Sequence, residues 1–312
     1  MTIKNLLMML FAILMVAAAC EKEVAEIPKE ETKPTGRFQL EMTDSPVDHP
    51  EVEAVFITIA DVKLDGESIE GFEKTTFDIS AYQQGDVKVL FDGSLAVANY
   101  SDLEIVLDHA KDDQGNSPGS YVLEKDGETY GLSELAESTI KFERTITIDS
   151  IETSNILVDF DLRKTIKEGD EDRKYEFTAG SSFESGFRIV DKKDSGKIIG
   201  QINDPLSNSE VTVAYIYKKG TFNSEIETSA QDGILFANAY SSAKVDDEGN
   251  FELHYLETGK YELYFGSFDV EEDGGLSLEG RLTMDALNLT DIDIQANSTL
   301  NIALTVTGIL NL

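Results

Sequence analysis

Apolar and polar residues alternate with a period of two along much of the chain. The clearest runs in the first part are "RFQLEM" at 37–42, "DLEIVLD" at 102–108 and "NILVDFDL" at 155–162. Such alternation is typical of half-buried antiparallel strands. Asp-Gly dipeptides separate several of these runs, and they favour tight turns. The pattern predicts an all-β fold, and the only plausible helix of the first domain is a short one near Leu132–Ser138, with Ser133 as its cap.

A polar segment, "DKKDSGK" at 191–197, interrupts the alternation. The period of two resumes in "VTVAYIY" at 211–217, "YELYF" at 261–265 and "TLNIALTVTGIL" at 299–310. We therefore predict two tandem antiparallel β-sandwich domains, at residues 36–192 and 196–312. Several short strands at this spacing suit a small sandwich in each domain. We expect the two domains to be independent folding units.

The N-terminus carries an export signal followed by a single cysteine. Lys4 precedes an apolar run from Leu6 to Val16, and three alanines lead directly to Cys20, the only cysteine in the chain. The run is shorter than the roughly 20 residues of a spanning helix. We predict a signal peptide at 1–19 and a flexible tether at 20–35. Small residues ending in Cys resemble the lipobox of bacterial lipoproteins, which implies acylation of Cys20; the alternative is a buried free cysteine.

The residues after Cys20 bear on where the protein is located. "EKE" at 21–23 resembles the sorting signal that directs some Gram-negative lipoproteins to the outer face of the outer membrane. We expect an outer-membrane, lipid-anchored protein that faces outward, with the periplasmic face as the alternative.

The net charge limits the partners. The chain has 26 basic and 60 acidic residues and a formal charge of −34. Such a field disfavours nucleic acid, because phosphates carry the same sign. The expected partners are the membrane, through the lipid anchor, and surface proteins or glycans.

Motifs of the first domain resemble a family of bacterial lipoprotein domains known as domain-of-unknown-function family 4382. The likeness lies in Thr43-Asp44-Ser45-Pro46 with the following Val-Asp pair, in "ILVDFDLRKTI" at 156–166 and in the closing strand "GFRIVD" at 186–191. It covers roughly residues 36–192. One departure is "NYSDLEIVLD" at 99–108, where many relatives have a Gly-x-Tyr turn and an Arg-Leu strand. The resemblance implies no activity.

The second domain resembles a carboxypeptidase-regulatory-like, or transthyretin-like, β-sandwich. The matching segments are "GKIIGQI" at 196–202 and "DDEGNFELHYLETGKYELYF" at 246–265. The resemblance implies an accessory module, and some related sandwiches bind carbohydrate. A glycan could stack on Tyr255, Tyr261 and Tyr264, since aromatic rings offer flat apolar faces. Against this, the chain has no Trp, and Tyr261 could face the core instead.

Motifs of enzymes and cofactor sites are missing from the sequence. The three histidines are far apart, without H-x-x-H or H-E-x-x-H spacing, and there is no G-x-S-x-G elbow or Gly-rich phosphate loop. His109 follows Asp108 at a strand end, which predicts a surface loop. We expect a non-enzymatic protein without cofactor or metal; its role would be that of a binding or structural accessory module.

Clusters of carboxylates are the remaining candidates for chemistry. "DDQGN" at 112–116 and "DDEGN" at 246–250 resemble calcium loops but lack their full spacing, which favours hairpin turns. Asp159 and Asp161 share a strand face with Leu157. They either face solvent or hydrogen-bond and pin a loop at Thr43–Asp48. Should distant strands assemble a cation site, its ligands would be Asp44, Asp48, Asp159 and Asp161.

Overall fold

The strands of the N-terminal half (residues 34–191) form two main sheets. The computed structural model describes residues 33–45, 51–132, 138–169, 174–204, 207, 209–231, 233–271, 275–286 and 288–311. The strands of this half are β1 (Thr35–Ser45), β2 (Val52–Leu64), β3 (Glu67–Ser68), β4 (Thr75–Asp78), β5 (Lys88–Ala96), β6 (Ala98–Tyr100), β7 (Leu103–Leu107), β8 (Tyr121–Glu124), β9 (Thr129–Gly131), β10 (Thr139–Phe142), β11 (Ile146–Ile148), β12 (Ser154–Asp161), β13 (Ile166–Glu168), β14 (Tyr175–Phe177) and β15 (Phe187–Asp191).

One sheet has the order β15-β12-β1-β5, and the other has the order β10-β7-β2-β8-β9, with β3 and β4 also paired to β2. Apolar side chains of both sheets share one core, to which β1 contributes Phe38, Leu40 and Met42. The pairs β6–β11 and β13–β14 complete this half. β1 and β12 are parallel, with Leu40 opposite Ile156, although the alternation predicts antiparallel strands. Parallel pairing is available here because more than a hundred residues separate the two strands in sequence.

The strands of the C-terminal half (residues 195–311) belong to one sheet of eight strands. They are β16 (Ser195–Asn203), β17 (Val211–Lys218), β18 (Ser241–Lys244), β19 (Asn250–Glu257), β20 (Gly259–Val270), β21 (Leu276–Met284), β22 (Ile292–Ile294) and β23 (Thr299–Asn311). The order is β18-β17-β20-β21-β23-β16-β19, with β22 on β20, and β16 and β23 are parallel. β18 and β19 come near each other, so the sheet curls almost into a barrel.

β17 is buried on both faces of this sheet. Ala214 and Ile216 pack inside the curled sheet, whereas Tyr215 and Tyr217 pack on its outer face against Phe236. Both tyrosines are fully buried. Phe222, Phe236 and Ala239 therefore cover the outer face of β17.

Helices are few and short in the described residues. They are α1 (Leu162–Thr165), α2 (Ser181–Ser185) and α3 (Ser224–Glu227), with 3-10 turns at Ile79–Ala81 and Lys192–Asp194. None of them is long and apolar enough to cross a membrane. The mainly β fold is thus confirmed, whereas the helix predicted near Leu132–Ser138, the signal peptide, Cys20 and nearly all of the tether lie outside the described residues.

The two halves meet at residues 192–194, where a single 3-10 turn connects β15 to β16. Packing groups residues 34–312 into one compact unit. The predicted domain limits at 36–192 and 196–312 stay a prediction.

The segments at 112–116 and 246–250 form turns, but the prediction of hairpins is wrong, because the strands on either side of each turn do not pair with one another. In each, the carboxylate of the first Asp accepts hydrogen bonds from backbone N–H groups two and four residues later, at 2.9 and 2.6 Å for Asp112 and at 2.9 and 2.7 Å for Asp246. An Asn side chain also donates to each carboxylate. These bonds lower the pKa of both carboxyls. Each Asp therefore stabilises its own turn.

Replacing the glycine is expected to lower the free energy of unfolding by different amounts in these two turns. Both have positive φ, +87° at Gly115 and +84° at Gly249, but a Cβ on Gly249 would lie 2.1 Å from the carbonyl oxygen of Ile202. A Cβ on Gly115 would have no neighbour within 4 Å. We expect Gly115→Ala to cost about 1–2 kcal/mol of unfolding free energy and Gly249→Ala to cost roughly 1–3 kcal/mol more. Urea unfolding of both variants measures the difference; equal losses would contradict the close contact.

Candidate functional site

The outer face of the four-stranded sheet is buried where the C-terminal half covers it. Register places Asp159 of β12 opposite Thr43 of β1 and Arg188 of β15. Asp159 and Asp161 are only 3% and 6% exposed, and Leu157, which precedes them on the same strand face, is fully buried. The interpretation that these aspartates face solvent is therefore wrong, because the second half packs on the face that they share.

Arg188 forms one polar link between the halves. Its Nε donates to Asp159 Oδ2 at 2.7 Å, and its Nη1 donates to the carbonyl of Tyr255 at 2.6 Å. Its Nη2 lies 2.6 Å from the same carboxylate oxygen and 3.4 Å from the carbonyl of His254. The guanidinium also lies over the ring of Tyr240. This cation, whose side chain is 15% exposed, thus binds a carboxylate of its own half and two carbonyls of the other half.

A bulge in β19 makes those carbonyls available. The pairing of β16 with β19 shifts between Gly196 and Ile198, which leaves His254 and Tyr255 out of register. Tyr255 has a φ of +52°, which is rare for a residue with a side chain. Its hydroxyl donates to the carbonyl of Gly85 in the N-terminal half at 2.6 Å. The N-terminal half therefore binds both the carbonyl and the hydroxyl of this strained residue.

A second polar link follows β12 directly. In α1, Arg163 donates to the carbonyls of Leu235 and Phe236 at 2.7 and 3.3 Å, and Lys164 donates to the carbonyl of Ala239 at 2.6 Å. Both cations are buried, and Asp161 lies 3.3 and 3.8 Å from them. Burial lowers the pKa of Lys164, and the nearby charge of Asp161 partly offsets this shift. The helix is only four residues long, so these contacts fix its position.

Asp44 lies inside β1 and not in the predicted loop, because the strand continues to Ser45. Its side chain points to the core side of the sheet, where Oδ1 accepts from the backbone N–H of Leu162 at 3.1 Å and Oδ2 accepts from Gln83 at 3.2 Å. Burial raises its pKa well above the ordinary value, and the charges of Asp161 and Asp159 raise it further. Asp48 lies outside the described residues.

Three of the four predicted carboxylates, Asp44, Asp159 and Asp161, are therefore brought together at the ends of β1 and β12. No side-chain bond from Asp159 or Asp161 to Thr43–Ser45 occurs in the described residues; each pairs with cations instead. Burial raises the pKa of Asp159, and the charge of Arg188 partly offsets this. Among the described residues, no group of three or more His, Cys, Asp or Glu side chains has a geometry that could hold a metal ion.

The three tyrosines do not form one platform. Tyr261 is fully buried, and its hydroxyl donates to the carbonyl of Glu257 at 2.6 Å. Tyr264 lies on the opposite face of β20 and stacks on Phe222, with ring centroids 3.7 Å apart. Tyr255 contacts the other half, as described above. A platform that includes Tyr261 is wrong, because alternation along β20 turns this ring into the core.

A cleft of about 560 Å³ lies between the halves. The N-terminal half contributes the end of β1 and residues 83–85, and the C-terminal half contributes β18, the turn after it and His254 of β19. Asp159 and Arg188 also line it. We call it the junction cleft. Burial lowers the pKa of His254, although its Nε2 lies 2.6 Å from the carboxylate of Glu252.

His109 is buried, and the expectation of a surface loop is wrong for its side chain. It is 4% exposed, its Nδ1 lies 3.0 Å from Ser120 Oγ, and its ring packs against Phe177. Its Nε2 is buried without a hydrogen-bond partner in the described part of the chain. Burial lowers the pKa of His109 to about 4, despite the nearby charge of Asp108.

The buried histidine predicts a loss of stability in acid. The unfolded chain binds a proton near pH 6.5, whereas the folded protein resists it until about pH 4. Stability present above pH 6.5 is therefore lost as the pH falls through this window, by up to about 3 kcal/mol. His109→Gln should show less of this loss. Urea unfolding of both proteins between pH 4 and pH 8 checks it, and parallel profiles would contradict a buried neutral histidine.

Comparisons with known proteins match part of the chain to a family and leave the activity open. Residues 35–179 match the family described as "Domain of unknown function (DUF4382)". None of the curated proteins matches the chain. The second half's resemblance to a carboxypeptidase-regulatory-like sandwich stays a prediction.

Solved structures are only distantly similar. The TIE protein of Bacillus anthracis is 11% identical over 87% of this chain, with a TM-score of 0.20, and the match covers 34% of that protein. The chain thus spans about a third of its length. BcpA, the major pilin subunit of Bacillus cereus, is 9% identical, with a TM-score of 0.22. The match covers 87% of this chain and 70% of the BcpA chain. GBS52, a minor pilin of Streptococcus agalactiae, is 12% identical, with a TM-score of 0.19. The match covers 88% of this chain and 98% of the GBS52 chain.

Proposed function

We propose that the protein is a non-enzymatic, membrane-anchored lipoprotein of the outer membrane that faces outward and serves as a binding or structural accessory module. The observation that carries this proposal is how the buried charges are used. Arg188, Arg163 and Lys164 bind carboxylates of their own half and backbone carbonyls of the other half. These charges connect two β bodies into one unit, which suits a module that presents a fixed surface.

The anchoring part of the proposal is supported by the residues around Cys20. A lipid anchor at this position, followed by a polar tether, would hold residues 34–312 outside the bilayer. The acidic surface suits a protein that stays soluble above a membrane. Glycan binding by the C-terminal half has less support, because Tyr261 is buried and the three tyrosines do not share a face.

Protease treatment of intact cells tests the outward location. We expect proteinase K to remove the protein from intact cells as completely as from lysed cells. A periplasmic protein of the same cells should resist digestion until the cells are lysed. Protection of this protein in intact cells, with digestion after lysis, would contradict the surface location and favour the periplasmic face.

A further inference from the structure

The junction cleft has the size and the position of a site for a small molecule. Its volume is about 560 Å³, and small ligands commonly bind in pockets of roughly 300–1,000 Å³ where two domains meet. Ser241 and Ser242 of β18, which line one wall, are only 5% and 6% exposed, and β18 lies close to β19 and β1. The edge of β18 is therefore covered, and the cleft suits a small molecule better than an extended peptide.

A bulge in β2 brings two neighbouring side chains to the cleft. The pairing of β2 with β8 shifts between Val52 and Ala54. Val52 and Glu53 both line the cleft, although successive side chains of a regular strand point to opposite faces. Bulges often re-aim a side chain in this way. Glu53 is thereby placed on the rim of the cleft, and Val52 forms part of its wall.

The rim carries carboxylates from both halves. Glu53 from the N-terminal half and Asp247 from the C-terminal half are exposed, and neither side chain has a hydrogen bond or ion pair in the described residues. The arginine and lysine of the lining are Arg188, which is already paired with Asp159, and Lys244. The rim is therefore negative, and its charges are available to a ligand.

The floor of the cleft holds a buried acceptor without a donor. Asp159 is 3% exposed, and its Oδ2 binds Arg188, whereas its Oδ1 has no hydrogen-bond partner within the described ranges. A buried carboxylate oxygen without a donor is unfavourable, because it has lost its contact with water and gained nothing in return. An ammonium group carries three N–H donors and would supply the missing one.

We propose that the junction cleft binds a linear polyamine, an alkyl chain that carries several ammonium groups. One ammonium group donates to Asp159 Oδ1 on the floor, and others pair with Glu53 and Asp247 on the rim. The methylene groups between them pack against Val52 and Val245, which are partly buried in the lining. The acidic rim and the net charge of −34 select a cation.

The arrangement of the carboxylates favours several ammonium groups over a single ion. The floor carboxylate comes from β12, one rim carboxylate from β2 and the other from the turn after β18. No group of three or more His, Cys, Asp or Glu side chains in the described part of the chain could hold a metal ion. A flexible chain can reach carboxylates that are too dispersed for one ion. The proposal goes beyond the accessory role and does not depend on how the protein is anchored.

Isothermal titration calorimetry with spermine tests the proposal, using the full-length protein in detergent at physiological ionic strength. We expect saturable binding at a single site, and no binding of fully acetylated spermine, which has lost its charges. Glu53→Gln combined with Asp247→Asn should weaken the affinity roughly fivefold, since each exposed pair contributes modestly. The matched control, Glu67→Gln combined with Glu128→Gln, removes the same charge from exposed positions outside the cleft lining and should keep the wild-type affinity.

The contact with the floor has its own readout. Replacing the terminal ammonium groups of spermine with trimethylammonium groups keeps their charge but removes their N–H donors. We expect this analogue to bind more weakly than spermine. Equal affinity would show that no terminal donor reaches Asp159 Oδ1 and would overturn the proposal.

Competing ligands distinguish a polyamine site from a general attraction of cations. Calcium chloride and sodium chloride of matched ionic strength should weaken spermine binding equally, because both only screen the charges. Stronger displacement by calcium would overturn the proposal in favour of a metal site. Tighter binding of a lysine-rich peptide of the same charge, with the same dependence on Glu53 and Asp247, would overturn it in favour of a protein partner. Equal weakening in both double variants would reduce the effect to net charge and would also overturn it, as would absence of spermine binding.

Discussion

Replacing Arg188 with methionine is expected to lower the free energy of unfolding by about 3–5 kcal/mol. The substitution keeps much of the side-chain volume but leaves the carboxylate of Asp159 buried without its cation. The carbonyls of Tyr255 and His254 lose their donor at the same time. Removing one partner of a buried pair is costly because the other charge stays desolvated. Guanidinium unfolding followed by circular dichroism measures the loss.

Two further variants separate this effect from the loss of any arginine. Arg37→Met breaks an ion pair with Asp92 at 2.7 Å, but the Arg37 side chain is 63% exposed, so we expect little or no loss of stability. Adding Asp159→Asn to Arg188→Met should recover part of the lost stability, because the unpaired charge is removed. Similar small losses for Arg37→Met and Arg188→Met would show that the junction pair is not effectively buried.

Replacing Cys20 with serine is expected to move almost all of the protein from the membrane fraction to the soluble fraction. Cys20 would carry the acyl chains, and two or more chains are needed for stable anchoring. Sedimentation of membranes followed by immunoblotting measures the distribution. The substitution lies outside the compact unit of residues 34–312, so the unfolding curve of this unit should not change. A variant that still sediments with membranes would refute the lipoprotein assignment.

Local patterns predicted the strands and turns because their causes are local. The alternation in "NILVDFDL" places Ile156, Val158 and Phe160 on one face of β12, and all three are in the core. The turns at 112–116 and 246–250 are likewise stabilised by hydrogen bonds between residues four positions apart. Sequence and structure agree wherever a residue's neighbours in the chain determine its surroundings.

The junction was missed because its contacts join distant parts of the chain. Asp159 has the spacing of a solvent-facing residue, and only the packing of the second half buries it. Arg188 was not singled out, although "GFRIVD" placed it on the same strand face as Val190, which is a signal that the face could be buried. The bulge at His254 and Tyr255 has no sequence signal that we recognise.

Hydrogen exchange tests most directly whether the buried junction makes one unit of the two halves. The sequence suggested independent folding units, whereas the hydrogen bonds that Arg188, Arg163 and Lys164 donate across the junction predict coupled unfolding. Peptides from β2 and β20 should lose protection at the same denaturant concentration in the wild-type protein, as followed by mass spectrometry. In Arg188→Met they should lose it at different concentrations. Two well-separated transitions in the wild-type protein would contradict the coupling of the halves through Arg188 and its partners.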